Sequence, residues 1–275
     1  MNAGDVSIHP TAIVHPGAQL DAGVVVGPFC IVGAHAKVGK GTRIISHAVV
    51  EGHTTLGENN VIYPFASVGH APQDLKYRGE PTTLVIGDGN TIRESATLQP
   101  GTIQDKGTTI VGSRNLFMAY THIAHDCVIG DENIFANVAH LAGHVLIGNQ
   151  AVLGSMCAIH QFSHIGNLAM LAAGAKVSGD VPPFCTVQGD RATLRGLNVV
   201  GLRRRGVDAT GLSRIKQAYR YLFLGGAPTI EDAVTLCAKD GLDQDKFVSE
   251  MITFVKNAKR GVVRPAENDL SLRED

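Results

Sequence analysis

Tryptophan is absent from the 275 residues and aromatic side chains make up only 5% of them, so the large rings that commonly fill a sandwich or barrel core are scarce. Cysteine is equally thin. Cys30, Cys127, Cys157, Cys185 and Cys237 are odd in number and form no Cys-x-x-Cys pair, which argues against a disulfide framework and against a cysteine zinc site. Neither sign of charge dominates: 24 basic against 25 acidic residues give a net charge of -1. Nothing global therefore favours nucleic acid or an anionic membrane surface, and any anion site must be local. No segment is apolar for long enough to span a bilayer, and Met1-Asn2-Ala3-Gly4-Asp5 does not open a basic-then-apolar leader, so a soluble cytoplasmic chain is expected. Gly-x-Gly-x-x-Gly and P-loop patterns are missing too, which disfavours a redox dinucleotide or ATP.

What is abundant is glycine, 32 residues of it, and a period. Every sixth residue from Ile8 is aliphatic: Val14, Leu20, Val26, Val32, Val38, Ile44, Val50, Leu56, Ile62 and Val68. The series returns at Ile86, Ile92 and Leu98, shifts by one, and runs from Val111 and Phe117 through Ile123, Ile129, Phe135, Leu141, Ile147, Leu153, Ile159, Ile165 and Leu171 to Val177. Two residues before each anchor the side chain is usually small, as at Ala36, Ala48, Ala66, Cys127, Ala139 and Cys157. Positions two apart share one face of a strand. Three such strands close a coil of about 18 residues, and the stack is a parallel β-helix with those cysteines in its core.

Residues 69–85 and 99–110 break the period and read as loops bulging from the prism, where binding groups tend to sit. The repeat is expected to end at Asp180-Val181-Pro182-Pro183, because two prolines cannot continue a strand ladder. Beyond it the period becomes helical. Ile215, Ala218, Tyr219 and Leu222 share one helical face that stops at Gly225-Gly226. Thr229 with Asp232 resembles a capping box opening a second helix to about Lys239, Lys246 to Lys259 suits a third, and the tail from Arg264 to Asp275 reads as loose. The expected organisation is a β-helix over 1–190 and a small α-helical C-terminal domain over 191–275 that can cap one end of the prism.

Six of the twelve histidines fall in one window: His122, His125, His140, His144, His160 and His164. None takes an inward slot. Counting in steps of 18 stacks His125 under Gly143 and then Gln161, Asp126 under His144, and His122 under His140. A histidine beside a glycine N–H offers a general base and a donor for a developing oxyanion, the two parts acyl transfer needs. Asp126 is placed to hold the imidazole. No serine or cysteine stands in a nucleophile motif, which favours direct transfer over a covalent intermediate. Arg203-Arg204-Arg205 and Lys76 are the candidate anion contacts, although an arginine triplet is also an ordinary solvated helix end.

With those pieces in place the chain resembles the UDP-N-acetylglucosamine 3-O-acyltransferase family, which opens lipid A synthesis. The similarity runs from His9-Pro10-Thr11-Ala12 through the helical region. It is carried by Gln73-Asp74-Leu75-Lys76-Tyr77, His122-Ile123-Ala124-His125-Asp126-Cys127, Leu141-Ala142-Gly143-His144, His160-Gln161-Phe162, Asp180-Val181-Pro182-Pro183 and Gly201-Leu202-Arg203-Arg204-Arg205-Gly206. The resemblance implies a left-handed parallel β-helix of hexapeptide repeats and a homotrimer with active sites between subunits. It implies a (R)-3-hydroxyacyl donor carried by the phosphopantetheine of acyl carrier protein, with no other cofactor and no metal. By the same resemblance His125 is the base, Asp126 orients it, and the Gly143 N–H receives the oxyanion. Gln73, Asp74, Lys76, His122, His144, His160 and Gln161 hold the sugar and acyl linkage. Asn198, Arg204 and Arg205 meet the UDP, and Met170 and Ala173 set acyl length.

Several positions depart from the family pattern. Ala173 replaces a glycine of long-chain members, Gln99 and Arg191 replace histidines, Val200 replaces an acidic residue, and His70-Ala71-Pro72 differ near the sugar loop. Two other enzymes compete with this reading. One is an N-acyltransferase acting on a UDP-3-amino sugar. The other is a zinc-dependent, carbonic anhydrase-like β-helix using His122, His125 and His144.

Overall fold

The structure, a computed structural model, describes residues 5 to 266. Strands of mostly two residues build three sheets of eleven, nine and eight strands, parallel except for the last pair, and from Ser7–Ile8 to Lys176–Val177 the chain visits the sheets in strict rotation. Residues one coil apart pair in register, as His122 with His140 and Phe117 with Phe135. The period-six anchors point inward and are almost entirely buried from Val26 onward, while Ile8 in the first coil remains 46% exposed. Phe117 and Phe135 stack at 4.8 Å. Their burial, with that of the aliphatic anchors, supplies the non-directional part of the stability.

The coil corners need a left-handed backbone, and many non-glycine residues adopt it, including Asp126 at φ 59° and His144 at φ 64°. At the corner between the third and first sheets the small-residue column is taken over by asparagines. Asn60 Oδ1 accepts from the Asn90 N–H at 2.8 Å, Asn90 Oδ1 from Asn115 at 2.9 Å, and Asn115 Oδ1 from Asn133 at 2.8 Å. Each side-chain oxygen thus satisfies a buried N–H that the turn leaves without a strand partner.

Three expected boundaries move. The loops are shorter than 69–85 and 99–110, because Thr83–Ile86 and Thr108–Val111 are already four-residue strands, paired in register with each other. The repeat does not stop at the prolines. Val181 bridges Ile165, and Cys185–Gln188 adds a further parallel strand before Thr193–Leu197 turns back antiparallel to it. Pro182 and Pro183 lie between those pairings, where no ladder N–H is asked of them.

The helical part opens with a segment not expected from the sequence, α1 at Val199–Arg204, followed by α2 at Ala209–Phe223, α3 at Ile230–Lys239 and α4 at Lys246–Asn257. Thr229 caps α3 as expected, accepting from the Asp232 N–H at 3.1 Å, but Asp232 bonds the Thr229 hydroxyl instead of reaching back to the backbone. α4 ends two residues before Lys259 and packs on the last coils through Phe254 against His164 and Phe247 against Phe184. The tail is anchored at its start: Arg264 donates to the Leu222 carbonyl at 2.9 Å and Pro265 bridges Leu194. The rest of the expected loose tail, 267 to 275, lies outside the described residues.

Candidate active site

Both long loops leave the prism at the same corner, where the second sheet turns into the third. The loop after Ser67–Val68, the loop after Thr97–Leu98, the His125-Asp126 turn, the Gly143-His144 turn and the Gln161-Phe162 turn follow one another up that corner. Coil stacking alone brings His125 and Gly143 together: the His144 N–H donates to the His125 carbonyl at 3.0 Å. A Cβ added to Gly143 would stand 2.6 Å from His125 Cε1. A side chain at this position would have to displace the imidazole, which occupies the space a Cβ would fill. The Gly143 N–H has no acceptor among the described residues.

His125 Nδ1 lies 2.9 Å from Asp126 Oδ2, and Asp126 is fully buried. A buried carboxylate needs donors. Thr102 supplies two more, making three contacts: its N–H reaches both oxygens at 3.1 and 3.0 Å and its hydroxyl reaches Oδ2 at 2.6 Å. With Nδ1–H donating to Asp126, His125 presents Nε2 as an acceptor. His144 repeats the arrangement. Its Nδ1 lies 2.8 Å from Asp105 Oδ2, its ring stacks on Phe162 at 4.4 Å, and its edge meets His125 at 5.0 Å. Thr102 and Asp105 were not among the expected site residues, since no spacing within a non-repeating loop indicates which side chain folds back.

The remaining expected residues divide. His122 is half-buried, with Nδ1 2.7 Å from Thr97 Oγ1, and burial first, then the neighbouring His140 and His125, hold it below the usual imidazole range. His160 and Gln161 are exposed one coil above, and His160 lines a groove of about 600 Å³ with Lys176, Asp190 and Arg191. Gln73 is tied to the corner by its N–H on Gln99 Oε1 at 3.1 Å, while Asp74 caps its own turn by accepting from the Lys76 N–H at 2.9 Å, leaving the Lys76 side chain exposed. Met170 is half-buried on the first sheet and Ala173 is exposed at the following corner.

Asn198, Arg204 and Arg205 are not brought to the histidines within this chain. Asn198 is the N-cap of α1, accepting from Gly201 at 3.0 Å and donating to the Leu168 carbonyl at 2.9 Å. Arg203 and Arg204 lie exposed in the last turn of that helix, and Arg205 pairs with Glu132 at 2.9 Å.

His125, Asp126 and His144 each place a donor atom within 4.8 Å of the others. The zinc-site reading needed His122 in place of Asp126, and His122 is turned to Thr97 instead. Within one chain the group gathered is thus two imidazoles and a carboxylate, with both Nδ1 atoms facing carboxylates and Asp126 held by Thr102 as well. The five cysteines are buried, and burial pushes the Cys127 thiol up to about 12, which withholds a thiolate nucleophile.

A β-helix carrying an aspartate-held imidazole against a bare glycine amide defines an acyltransferase of the hexapeptide-repeat class. Residues 180–263 match the family model described as UDP N-acetylglucosamine O-acyltransferase, domain 2. An acyl-(acyl-carrier-protein)–UDP-N-acetylglucosamine O-acyltransferase from Thermodesulfovibrio yellowstonii is 45% identical over 257 residues, 94% of this chain and 99% of its own length. The solved UDP-N-acetylglucosamine O-acyltransferase of Moraxella catarrhalis superposes with a TM-score of 0.90 at 40% identity, covering 94% of this chain and 99% of that one. The corresponding structure from Acinetobacter baumannii gives 0.90 at 42% identity, with the same coverage. The chain belongs to the UDP-N-acetylglucosamine O-acyltransferase family. No helix among the described residues is long and apolar enough to cross a membrane.

Proposed function

We propose that this enzyme transfers a (R)-3-hydroxyacyl group from acyl carrier protein to the 3-hydroxyl of UDP-N-acetylglucosamine in the cytoplasm, the first step of lipid A synthesis. The observation that carries the reading is the Asp126–His125–Gly143 arrangement: an Nε2 acceptor beside an N–H that has no acceptor among the described residues. His125 Nε2 takes the proton of the sugar hydroxyl as its oxygen attacks the thioester carbonyl. The oxyanion of the tetrahedral intermediate is received by the Gly143 N–H. Collapse expels the pantetheine thiolate, which takes the proton back from the imidazolium, and Asp126 stabilises that cation while it lasts. The buried cysteines and the absence of a serine partner for His125 among the described residues favour direct attack over an acyl-enzyme.

In this reading Gln73, Asp74, Lys76, His122, His144, His160 and Gln161 hold the sugar and the acyl linkage, and Asn198, Arg204 and Arg205 hold the UDP. The separation of the arginine segment from His125 within one chain supports a homotrimer, with a neighbouring subunit completing each site. Met170 and Ala173 set chain length, and the methyl of Ala173, where longer-chain relatives have glycine, predicts a preference for a donor somewhat shorter than theirs.

Transfer from 3-hydroxyacyl carrier proteins of several chain lengths, native against His125→Ala, tests the whole scheme. The expected result is turnover with UDP-N-acetylglucosamine, lowered by about 10²–10⁴-fold in the variant, as for other general bases. Turnover only with a UDP-3-amino sugar would replace the ester by an amide, and preference for the longest donors would remove the role of Ala173.

A further inference from the structure

Building on the proposed site, we infer that the loop between Leu98 and Thr108 sets the orientation and tautomer of two imidazoles, with Thr102 and Asp105 as positioning residues. Thr102 acts through Asp126. Its hydroxyl and N–H supply three of the four contacts recorded on that buried carboxylate, at 2.6 to 3.1 Å, and His125 Nδ1 supplies the fourth at 2.9 Å. Without Thr102 the carboxylate would keep its burial and lose most of its donors, so its grip on His125 would no longer be fixed in direction.

Asp105 acts on His144 directly, at 2.8 Å from Nδ1. The His144 ring is then held on three sides: by Asp105 at one edge, by Phe162 against its face and by the perpendicular His125 ring. An aspartate on Nδ1 selects the Nδ1–H tautomer, so His144, like His125, keeps its Nε2 as a hydrogen-bond acceptor. An acceptor there suits a hydroxyl donor, and both the sugar and the 3-hydroxyacyl chain bring hydroxyls. The two dyads thus divide the work: His125 takes a proton, and His144 accepts a hydrogen bond that fixes the substrate.

The loop is built to hold these two side chains still. The Thr102 carbonyl accepts from both Asp105 and Gly107 N–H groups, at 3.2 and 3.0 Å, closing a tight turn. Gly107 has φ +69°, where a side chain would be strained, and a Cβ on Gly101 would collide with the backbone of Thr108. Lys106, 4.0 Å from Asp105, offsets its charge without displacing it from His144.

The test uses the full-length chain with ¹⁵N-labelled histidine and four variants, Asp105→Ala, Asp105→Asn, Thr102→Val and Thr102→Ser. In Asp105→Ala the His144 ring-nitrogen signals are expected to move towards the Nε2–H tautomer, with KM for the sugar nucleotide raised about tenfold and kcat within about twofold, the pattern of lost ground-state binding. Asp105→Asn, which keeps an oxygen acceptor, should fall between Ala and native. Thr102→Val should lower kcat about tenfold at unchanged KM, and Thr102→Ser, which keeps the hydroxyl, should restore it.

Native ring signals with native kinetics in Asp105→Ala would overturn the role of Asp105. A kcat defect in Thr102→Val that the serine variant does not relieve would show that the threonine serves packing only. The ring signals are read without turnover, so a native protein inactive on UDP-N-acetylglucosamine would overturn the proposed function and leave this inference standing or falling on the tautomers alone.

Discussion

The histidine corner and the arginine segment are both rich in functional side chains, yet they are held by different physics. At the corner, register does the positioning: His125 and Gly143 meet because the coil is 18 residues long and every coil is clamped to the next by inter-strand hydrogen bonds. The arginine segment has no such template. Its six-residue helix is fixed by the Asn198 cap and by buried Leu202, and its guanidiniums reach out from the last turn. A rigid ladder suits atoms that must be placed to a fraction of an ångström for bond making, whereas long, exposed charges suit a diphosphate that needs to be gripped.

Substitutions can break this contrast, and the largest effect should come from the corner. Gly143→Ala places a Cβ 2.6 Å from His125 Cε1, so the imidazole must move. Transfer is expected to fall by about 10²-fold or more with little change in melting temperature, measured by steady-state kinetics beside a thermal scan. An alanine variant that retains full kcat would mean that the imidazole does not act from this position.

At the arginine segment, Arg204→Ala should mainly raise KM for the sugar nucleotide, by about tenfold, because in the proposed scheme it removes one charged contact to the diphosphate and leaves the reacting atoms alone. A fall in kcat with KM unchanged would instead tie the segment to the chemistry.

The helical part offers a third test through pH. Burial holds His164 below the usual imidazole range where its ring packs, tilted, against Phe254. A histidine whose folded form resists protonation costs nothing above the unfolded value near 6.5 and withdraws stability as the pH falls below it. His164→Phe keeps a ring on Phe254 and removes the titration, so its melting temperature should drop less between pH 7.5 and 5.5 than that of the native chain. Part of the drop should persist, since His122 is shifted the same way. Glu250 is shifted upward by burial and gains on acidification, which opposes the histidines.

Smallest of all should be Arg205→Ala. Its pair with Glu132 is half exposed, and Glu132 also meets Arg114 and Gln150, so little or no change in stability is expected in denaturant titration. Any larger effect on turnover would belong to the substrate, not to the fold.

The spacing of six and the small-residue column are a direct imprint of a strand pair repeated at fixed rise, so the prism, its buried cysteines and the stack of His125 on Gly143 were legible from the sequence. Asp126 was legible as the neighbour of His125, the face of α2 as a 3.6-residue pattern, and the start of α3 from its Thr229 cap. Other features left no periodic trace. Thr102 and Asp105 sit in a loop whose path depends on where its two ends enter the prism, and α1 is too short for its apolar residues to mark a face. The prolines misled about the end of the repeat because they sit at a corner, where a missing N–H costs nothing.

The sequence by itself determined the coil, its register and the pairing of the His125 imidazole with Gly143, because an interaction repeated every 18 residues is written into the order of the residues. Only the tertiary structure decided which donors reach the buried Asp126, which carboxylate holds His144, and how far Arg204 and Arg205 lie from His125 within one chain. Those depend on single contacts between segments far apart in sequence, and a contact made once has no period to reveal it.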